Sequence, residues 1–301
     1  MRLQPTQATL VPADRAPLTG VMHPSLWRGG RLGPLTPIAR GVRDAGRMAT
    51  SRWRALPDFL VIGAQKSGTT SLYEYLSRHP QVDPAIAKGV HYFEEHYCRG
   101  LDWYRSRFPF RTAGRITGEA TPDYLFYPSV PERVIRDLPA VKLVAVLRDP
   151  VERACSQYHH ERALGFEDLS LRAALAAEPD RLRGEEERVR TDADYVSFPL
   201  LHYSYRSRGL YAQQIERWLA LVPRDRLLVL QAERLYANPL DVTAETFAFL
   251  GLPPHLSGRF PILNARAHAT LDPEPRAELR DFFREPNERL FRLLGTRFEW
   301  E

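Results

Sequence analysis

The chain has 301 residues, 44% of them hydrophobic and 26% charged, which is enough apolar content for one large α/β domain or two small ones and too much for a disordered chain. The 42 Lys and Arg outnumber the 37 Asp and Glu, a net charge of +5 that suits an anionic ligand or polyanionic acceptor and, equally, a solvated arginine-rich surface. Two cysteines, Cys98 and Cys155, give neither a disulfide framework nor a zinc pattern. With no run of ~18 apolar residues and no N-terminal signal core, the expected setting is a reduced cytoplasm without a membrane span.

Residues 1 to about 50 are rich in Pro, Arg, Gly and Ala without a sustained period, and "HPSLWRGGRLGPLTP" is broken by turn formers throughout. This predicts a disordered or loosely docked arm over 1–50, with an acid-poor transit segment as the alternative. Order is expected from Pro57. "DFLVIGA" reads as a short apolar strand, and "TTSLYEYLSRHP" as an amphipathic helix with Leu72, Tyr75 and Leu76 on one side. The aromatic stretch 91–110 reads mainly as core, with Tyr92 and Trp103 as candidates to border a sugar site. "RITGEATPDYLFYP" suggests a short strand and a loop, and "VPERVIRDLP" a short helix. "VKLVAVLRDP" is a second buried strand, whose following helix has Asp149 as N-cap and Pro150 in first position. Residues 176–197 read as a charged, mobile stretch. "LYAQQIERWLALVP" is a helix in which Tyr211 is either core or acceptor lining. "RLLVLQAERL" is a strand, "PLDVTAETFAFLGLP" a helix closed by Gly251, and "DPEPRAELRDFFREPNERLFRLLG" the last helix. The alternation predicts an α/β fold with a P-loop-like parallel sheet flanked by helices on both faces, in a single domain over 57–301.

"GAQKSGTT" carries the first chemical signal. A loop after a parallel strand aims backbone N–H groups at an anion, and the following helix N-terminus adds roughly half a positive charge. Gly63 and Gly68 allow close approach, Lys66 brings an ammonium, and Ser67, Thr69 and Thr70 bring hydroxyls. The alternative is an ordinary strand–turn–helix with a surface lysine. In the usual nucleoside-triphosphate loop the lysine follows the second glycine; here Lys66 precedes Gly68. The second signal is "VLRDPVERACSQY": Arg148 ends a buried strand and Ser156 lies two turns into the next helix, where the pair can clamp a second phosphate. A salt bridge from Arg148 to Asp149 or Glu152 is the competing reading. Two anion sites together imply a ligand with two separated phosphates. His159 and His160 are adjacent and point to different faces of a helix, so they make a poor metal pair.

"FLVIGAQKSGTTSL" resembles the 5′-phosphosulfate loop of sulfotransferases, and "LRDPVERACSQY" resembles their 3′-phosphate motif. "HYFEEHYCRGLDWYRSRFPF", "GEATPDYLF", "VPERV", "RAHATLDPEP" and "FREPNERLFRLLGTRFEW" resemble the heparan sulfate sulfotransferases, above all the glucosaminyl 3-O-sulfotransferases and the N-sulfotransferase domains, from about Pro57 to Trp300. The resemblance implies 3′-phosphoadenosine 5′-phosphosulfate (PAPS) as donor, no metal, and in-line displacement at sulfur. It further implies that Lys66 stabilises the bridging oxygen, that Ser67, Gly68, Thr69 and Thr70 hold the 5′-phosphate, that Arg148 and Ser156 hold the 3′-phosphate, and that Arg266 belongs to a loop closing over the nucleotide.

Two positions depart from that family. The glutamate expected as base just before the "VHYF" stretch is Gly89, and the substrate-binding lysine expected after Glu119 is Ala120. His91 is then the best candidate base, with Glu119 and Glu94 as second choices. The expected acceptor is a hydroxyl-bearing small molecule or glycan (a sugar, lipid or secondary metabolite) and not a nucleic acid. A P-loop small-molecule kinase and a non-catalytic nucleotide-binding protein are the alternatives. The placement of Lys66 and the lack of a metal-holding Asp at a strand end speak against the kinase.

Overall fold

A computed structural model describes residues 37–255, 260, 261, 263 and 273–300. Among them, five strands form one sheet: β1 (Phe59–Gly63), β2 (Val82–Pro84), β3 (Ile116–Ala120), β4 (Lys142–Leu147) and β5 (Leu227–Gln231). Every pairing is parallel and the spatial order is β2-β3-β1-β4-β5. β1 is therefore central, with the chain crossing to β3 on one side and to β4 on the other. That is the switch point beyond whose carboxyl end an open α/β sheet takes its ligand.

The apolar runs "FLVIG" and "KLVAVL" are sheet centre because both faces are covered. Leu60, Ile62, Leu143, Ala145 and Leu147 pack into one buried cluster, while the alternating Phe59, Val61, Val144 and Val146 pack into another on the opposite face. The helices in chain order are α1 (Pro37–Ala49), α2 (Thr69–Leu76), α3 (Tyr92–Glu95), α4 (Gly100–Arg105), α5 (Val130–Asp137), α6 (Pro150–Leu164), α7 (Leu171–Arg181), α8 (Glu185–Thr191), α9 (Phe198–His202), α10 (Tyr211–Leu219), α11 (Ala232–Ala237), α12 (Pro239–Leu250) and α13 (Pro273–Leu294). α2 and α12 lie on the Phe59 face, and α5 and α10 on the Leu60 face. A third cluster joins α6, α7 and α13 through Val151, Cys155, Leu175, Leu279 and Phe283.

The chain divides after Arg43 into two compact units, 1–43 and 44–301. Of the arm expected over 1–50, residues 1–36 lie outside the described residues, and Pro37–Ala49 is helical. Within the larger unit Arg47 donates from Nε to the Ser106 carbonyl and from Nη2 to that of Phe108, each at 2.6 Å. The stretch 176–197, expected to be mobile, contains helix instead. Two of its acids are anchors: buried Glu178 accepts from the Arg206 and Ser207 amides at 2.7 and 2.9 Å, and Glu185 accepts from the Tyr195 and Ser197 hydroxyls, while Asp180, Glu186, Glu187, Asp192 and Asp194 are exposed.

Candidate active site

The loop after β1 has the geometry of an anion cradle. Gly68 stands at the N-terminus of α2 with φ +88°, and no side chain caps the helix. The first N–H groups of α2 are thus left for an anion. A side chain at position 68 would be strained, and its Cβ would also lie 2.9 Å from the Tyr236 ring. Lys66 sits at φ +69°, uncommon for a lysine. The Ser67 Oγ and Gln65 Oε1 atoms are buried without a hydrogen-bond partner. Buried polar atoms are nearly always paired, so two orphans on one turn fit a ligand with acceptor and donor groups of its own. Thr69 is buried and Thr70 half-buried on the first turn of α2.

The second motif lies beside the first. Asp149 caps α6, its Oδ1 accepting from the Val151 and Glu152 amides at 2.7 and 3.2 Å, with Pro150 in the first turn. Arg148 is thereby held at the exit of β4. Its Nη1 donates to the Lys66 carbonyl at 3.2 Å, and its Nη2 lies 3.7 Å from Glu152. Tyr211 is core and not acceptor lining: it is buried and its hydroxyl donates to the Arg148 carbonyl at 2.9 Å. Ser156 is buried in α6, two turns on. Lys66, Ser67, Gly68, Thr69, Thr70 and Arg148 thus cluster at the carboxyl ends of adjacent strands. Arg266 lies outside the described residues. The chain before it does reach α2, since the Leu263 amide donates to Ser71 Oγ at 2.8 Å and Tyr75 donates to the Pro261 carbonyl at 2.7 Å.

The third part is the segment 88–95 against β3. Glu119 is fully buried, and four donors fill its two oxygens: Tyr104 and Tyr124 hydroxyls on Oε1 at 2.9 and 2.7 Å, Val90 N–H and Thr121 hydroxyl on Oε2 at 2.9 and 2.6 Å. Burial raises its pKa, against the pull of those donors. So enclosed, Glu119 braces the 88–91 segment and has no lone pair turned to an acceptor. His91 is half-buried, with φ +54° at the start of α3. Its Nδ1 lies 2.7 Å from Glu94 Oε1 and 3.3 Å from Glu95 Oε1. Burial opposes an imidazolium, yet the Glu94 and Glu95 carboxylates outweigh it and hold the His91 pKa well above the ordinary value. Glu94 is 2% exposed and serves as the partner of His91. With Nδ1–H donated to Glu94, Nε2 is the nitrogen left to take a proton.

Gly89 explains this arrangement. A Cβ built at position 89 would lie 2.9 Å from His91 Nε2 and 3.2 Å from its Cδ2. The imidazole occupies the space that a side chain at 89 would enter. One residue that the sequence reading missed is Lys88. It is half-buried beside Ala120, whose amide donates to the Lys88 carbonyl at 2.8 Å, and its Nζ reaches Thr69 Oγ1 at 3.4 Å. The Lys-Gly-Val-His run was the available signal.

With this geometry in hand, comparison with known proteins is specific. A family profile described as "Sulfotransferase domain" matches residues 56–270. The chain is 30% identical to heparan sulfate glucosamine 3-O-sulfotransferase 3B1 of Mus musculus over 82% of this chain and 66% of that one. It is 27% identical to membrane-associated sulfotransferase kil1 of Dictyostelium discoideum over 82% and 67%. The chain thus spans about two thirds of the length of these relatives. Among solved structures, a sulfotransferase from Alicyclobacillus acidocaldarius is 32% identical, with a TM-score of 0.68, over 81% of this chain and 98% of that one. A mouse sulfotransferase, SULT7A1 complexed with PAP, shares the fold at 16% identity and a TM-score of 0.50, over 84% and 94%. The cradle, the Arg148 clamp and these matches have one account: the chain belongs to the sulfotransferase family, P-loop-like α/β enzymes that move a sulfuryl group from PAPS to an acceptor hydroxyl.

Proposed function

We propose that this chain sulfates a hydroxyl of a sugar, lipid or secondary metabolite, in the cytoplasm, with His91 as general base. The observation that carries the reading is the His91–Glu94 pair at 2.7 Å, facing the space left by Gly89 on the segment that reaches the donor cradle through Lys88. Among the described residues no helix is long and apolar enough to cross a membrane. Gly89 and Ala120, where the resembling enzymes carry a glutamate and a lysine, favour an acceptor other than a heparan-type chain.

The roles follow from position. Ser67, Gly68, Thr69 and Thr70 hold the 5′-phosphate at the α2 N-terminus, and Arg148 with Ser156 holds the 3′-phosphate. Arg266 keeps the role that the resemblance alone implies, in a loop closing over the nucleotide. His91 Nε2 accepts the acceptor's proton while its Nδ1–H stays on Glu94. The acceptor oxygen bonds to sulfur, and the bond from sulfur to the 5′-phosphate oxygen breaks with its electron pair on that oxygen. Lys66 meets the charge that appears there, so adenosine 3′,5′-bisphosphate (PAP) leaves. Glu119 supports the wall without exchanging a proton.

The test has two arms. PAP should raise the melting temperature well above the shift given by AMP or ATP, and incubation with PAPS and a panel of sugars, lipids and phenols should yield a product heavier by one sulfuryl group. Equal shifts for all three nucleotides, or phosphoryl transfer from ATP in place of sulfuryl transfer, would replace the reading with a kinase. Binding of PAP without any transfer would leave a nucleotide-binding protein.

A further inference from the structure

We propose that Tyr236 is a further donor-binding residue, whose hydroxyl donates a hydrogen bond to the nucleotide's 5′-phosphate. This deepens the donor reading above and rests on it. Tyr236 stands near the end of α11, the short helix that follows β5. Its half-buried ring is seated on the turn of the cradle: a Cβ built at Gly68 would lie 2.9 Å from Tyr236 Cε1 and 3.1 Å from the hydroxyl oxygen. The hydroxyl therefore borders the N-terminus of α2, whose first N–H groups are left for an anion. Among the described residues it has no hydrogen-bond partner. A tyrosine hydroxyl in a largely enclosed site usually finds one. The Ser67 Oγ and Gln65 Oε1 atoms of the same turn are unpaired as well, so three polar groups around one loop await a ligand.

The surroundings leave the hydroxyl to the nucleotide. Glu233, one turn earlier in α11, has both oxygens engaged: Oε1 accepts the Asp149 amide at 3.0 Å and Oε2 the Trp300 indole N–H at 3.1 Å. Those two bonds also fix α11 against the turn that carries Arg148. The Tyr75 hydroxyl, which acts on Tyr236 electrostatically, donates to the Pro261 carbonyl at 2.7 Å. Burial raises the Tyr236 pKa above the ordinary phenol value; Arg148 pulls it down, and Glu233 and Tyr75 add to the rise. The phenol thus stays neutral at neutral pH and keeps the O–H that a phosphate oxygen accepts. The influence of Arg148 puts the ring within electrostatic reach of the 3′-phosphate clamp too, and its contact with Gly68 decides for the 5′-phosphate. Tyr236 transfers no proton in this role.

The experiment compares the full-length wild type with Tyr236→Phe, which removes the hydroxyl and keeps the ring against Gly68. Calorimetry measures the affinity for PAP, AMP and adenosine 3′-phosphate, and thermal melting without nucleotide checks the fold. Loss of one hydrogen bond to a charged group should weaken PAP and AMP alike, by roughly tenfold. Adenosine 3′-phosphate affinity should stay within about twofold. The unliganded melting temperature should not move, since no protein group loses a partner. This pattern is the reverse of the one expected for Arg148→Ala, which acts through the 3′-phosphate. Unchanged PAP and AMP affinity in Tyr236→Phe would overturn the proposal and leave the hydroxyl to solvent. Weaker PAP and adenosine 3′-phosphate with AMP unchanged would overturn it by moving the hydroxyl to the other phosphate. Equal losses for all three would do so by reducing Tyr236 to a contact of the nucleoside. A wild type in which neither phosphate adds affinity would instead sink the donor reading itself.

Discussion

The donor cradle and the acceptor wall are built in opposite ways. The cradle is one short turn plus one arginine: Gly63 to Thr70 are consecutive, and Arg148 reaches them by a bond to the Lys66 carbonyl. In the reading proposed above, its binding groups include the backbone N–H groups at the start of α2, which the fold itself supplies. The wall is assembled from side chains of separate elements. Glu119 in β3 is caged by Val90, Tyr104, Thr121 and Tyr124, and on that brace stand His91, Glu94 and Lys88. A turn of consecutive residues is hard to alter piecemeal, while a wall made of separate side chains can exchange them one at a time. In the reading proposed above, Gly89 and Ala120 mark such exchanges.

Substitutions that separate the two regions sharpen the comparison. The largest expected effect is Lys66→Ala, which should lower turnover by roughly 10²–10³ because the lost group meets charge that grows only as the sulfuryl group departs. Its donor affinity, read by calorimetry with PAP, should change far less. Equal losses in affinity and rate would make the lysine a ground-state ligand and erase its distinction from Arg148.

The wall's base should come next. His91→Asn should cost roughly 10² in turnover with PAP binding intact. The sign of the pH effect is fixed by geometry: the base works only when neutral, and Glu94 and Glu95 hold its pKa above the ordinary imidazole value. The rate should therefore fall as pH drops, with a midpoint above that of a free histidine. The acidic limb should vanish in His91→Asn and move to lower pH in Glu94→Gln. A wild-type limb in His91→Asn would return the base to a carboxylate.

Arg148→Ala is the complementary test in the cradle. Loss of a charged hydrogen bond of about 1.5–3 kcal/mol should weaken PAP by roughly ten- to a hundredfold at unchanged saturated turnover. The preference for PAP over AMP should collapse with it. A variant that still discriminates by the 3′-phosphate would detach Arg148 from that role.

How far the sequence carried these regions follows from the same contrast. Strand–loop–helix order, the parallel sheet and the cradle were legible because the glycines, Lys66 and the hydroxyls occupy one turn. Asp149 and Pro150 announced α6 for the same local reason. The wall was legible only in part. His91 stood out, and Glu94 at three residues' distance was in reach as its partner, but Glu119 looked like a candidate base until tertiary packing put four donors around it. Lys88 carried only the Lys-Gly-Val-His run as a signal, since its environment comes from Thr69, Glu119, Asp123 and Lys66, which are distant in sequence. The charged stretch 176–197 misled for a related reason: Glu178 holds the amides of Arg206 and Ser207, and Glu185 ties α8 to Tyr195 and Ser197, which a local reading takes for solvated acids.

The smallest expected effect bears most directly on how the wall was rebuilt. A methyl group added by Gly89→Ala would lie 2.9 Å from His91 Nε2 and 3.2 Å from Cδ2, so one of the two must give way. The nearest backbone atom, the Ala120 carbonyl, is 3.6 Å off, and Gly89 is not held at positive φ, so the chain itself can accept an alanine. The imidazole is the movable partner. It is tied by the 2.7 Å bond to Glu94, and a shift of a few tenths of an ångström lengthens that bond or turns Nε2 away from the acceptor. Since an ~1 Å misplacement of a catalytic group can cost ~10²-fold, a smaller one should cost roughly three- to tenfold in turnover. The acidic limb should move toward the ordinary imidazole value as the contact with Glu94 weakens, and the melting temperature and PAP affinity should hardly change, because the cradle is not touched. Full turnover in Gly89→Ala with an unmoved acidic limb would mean that the ring has room to spare, and that the glycine at this position is not what admits histidine as the base.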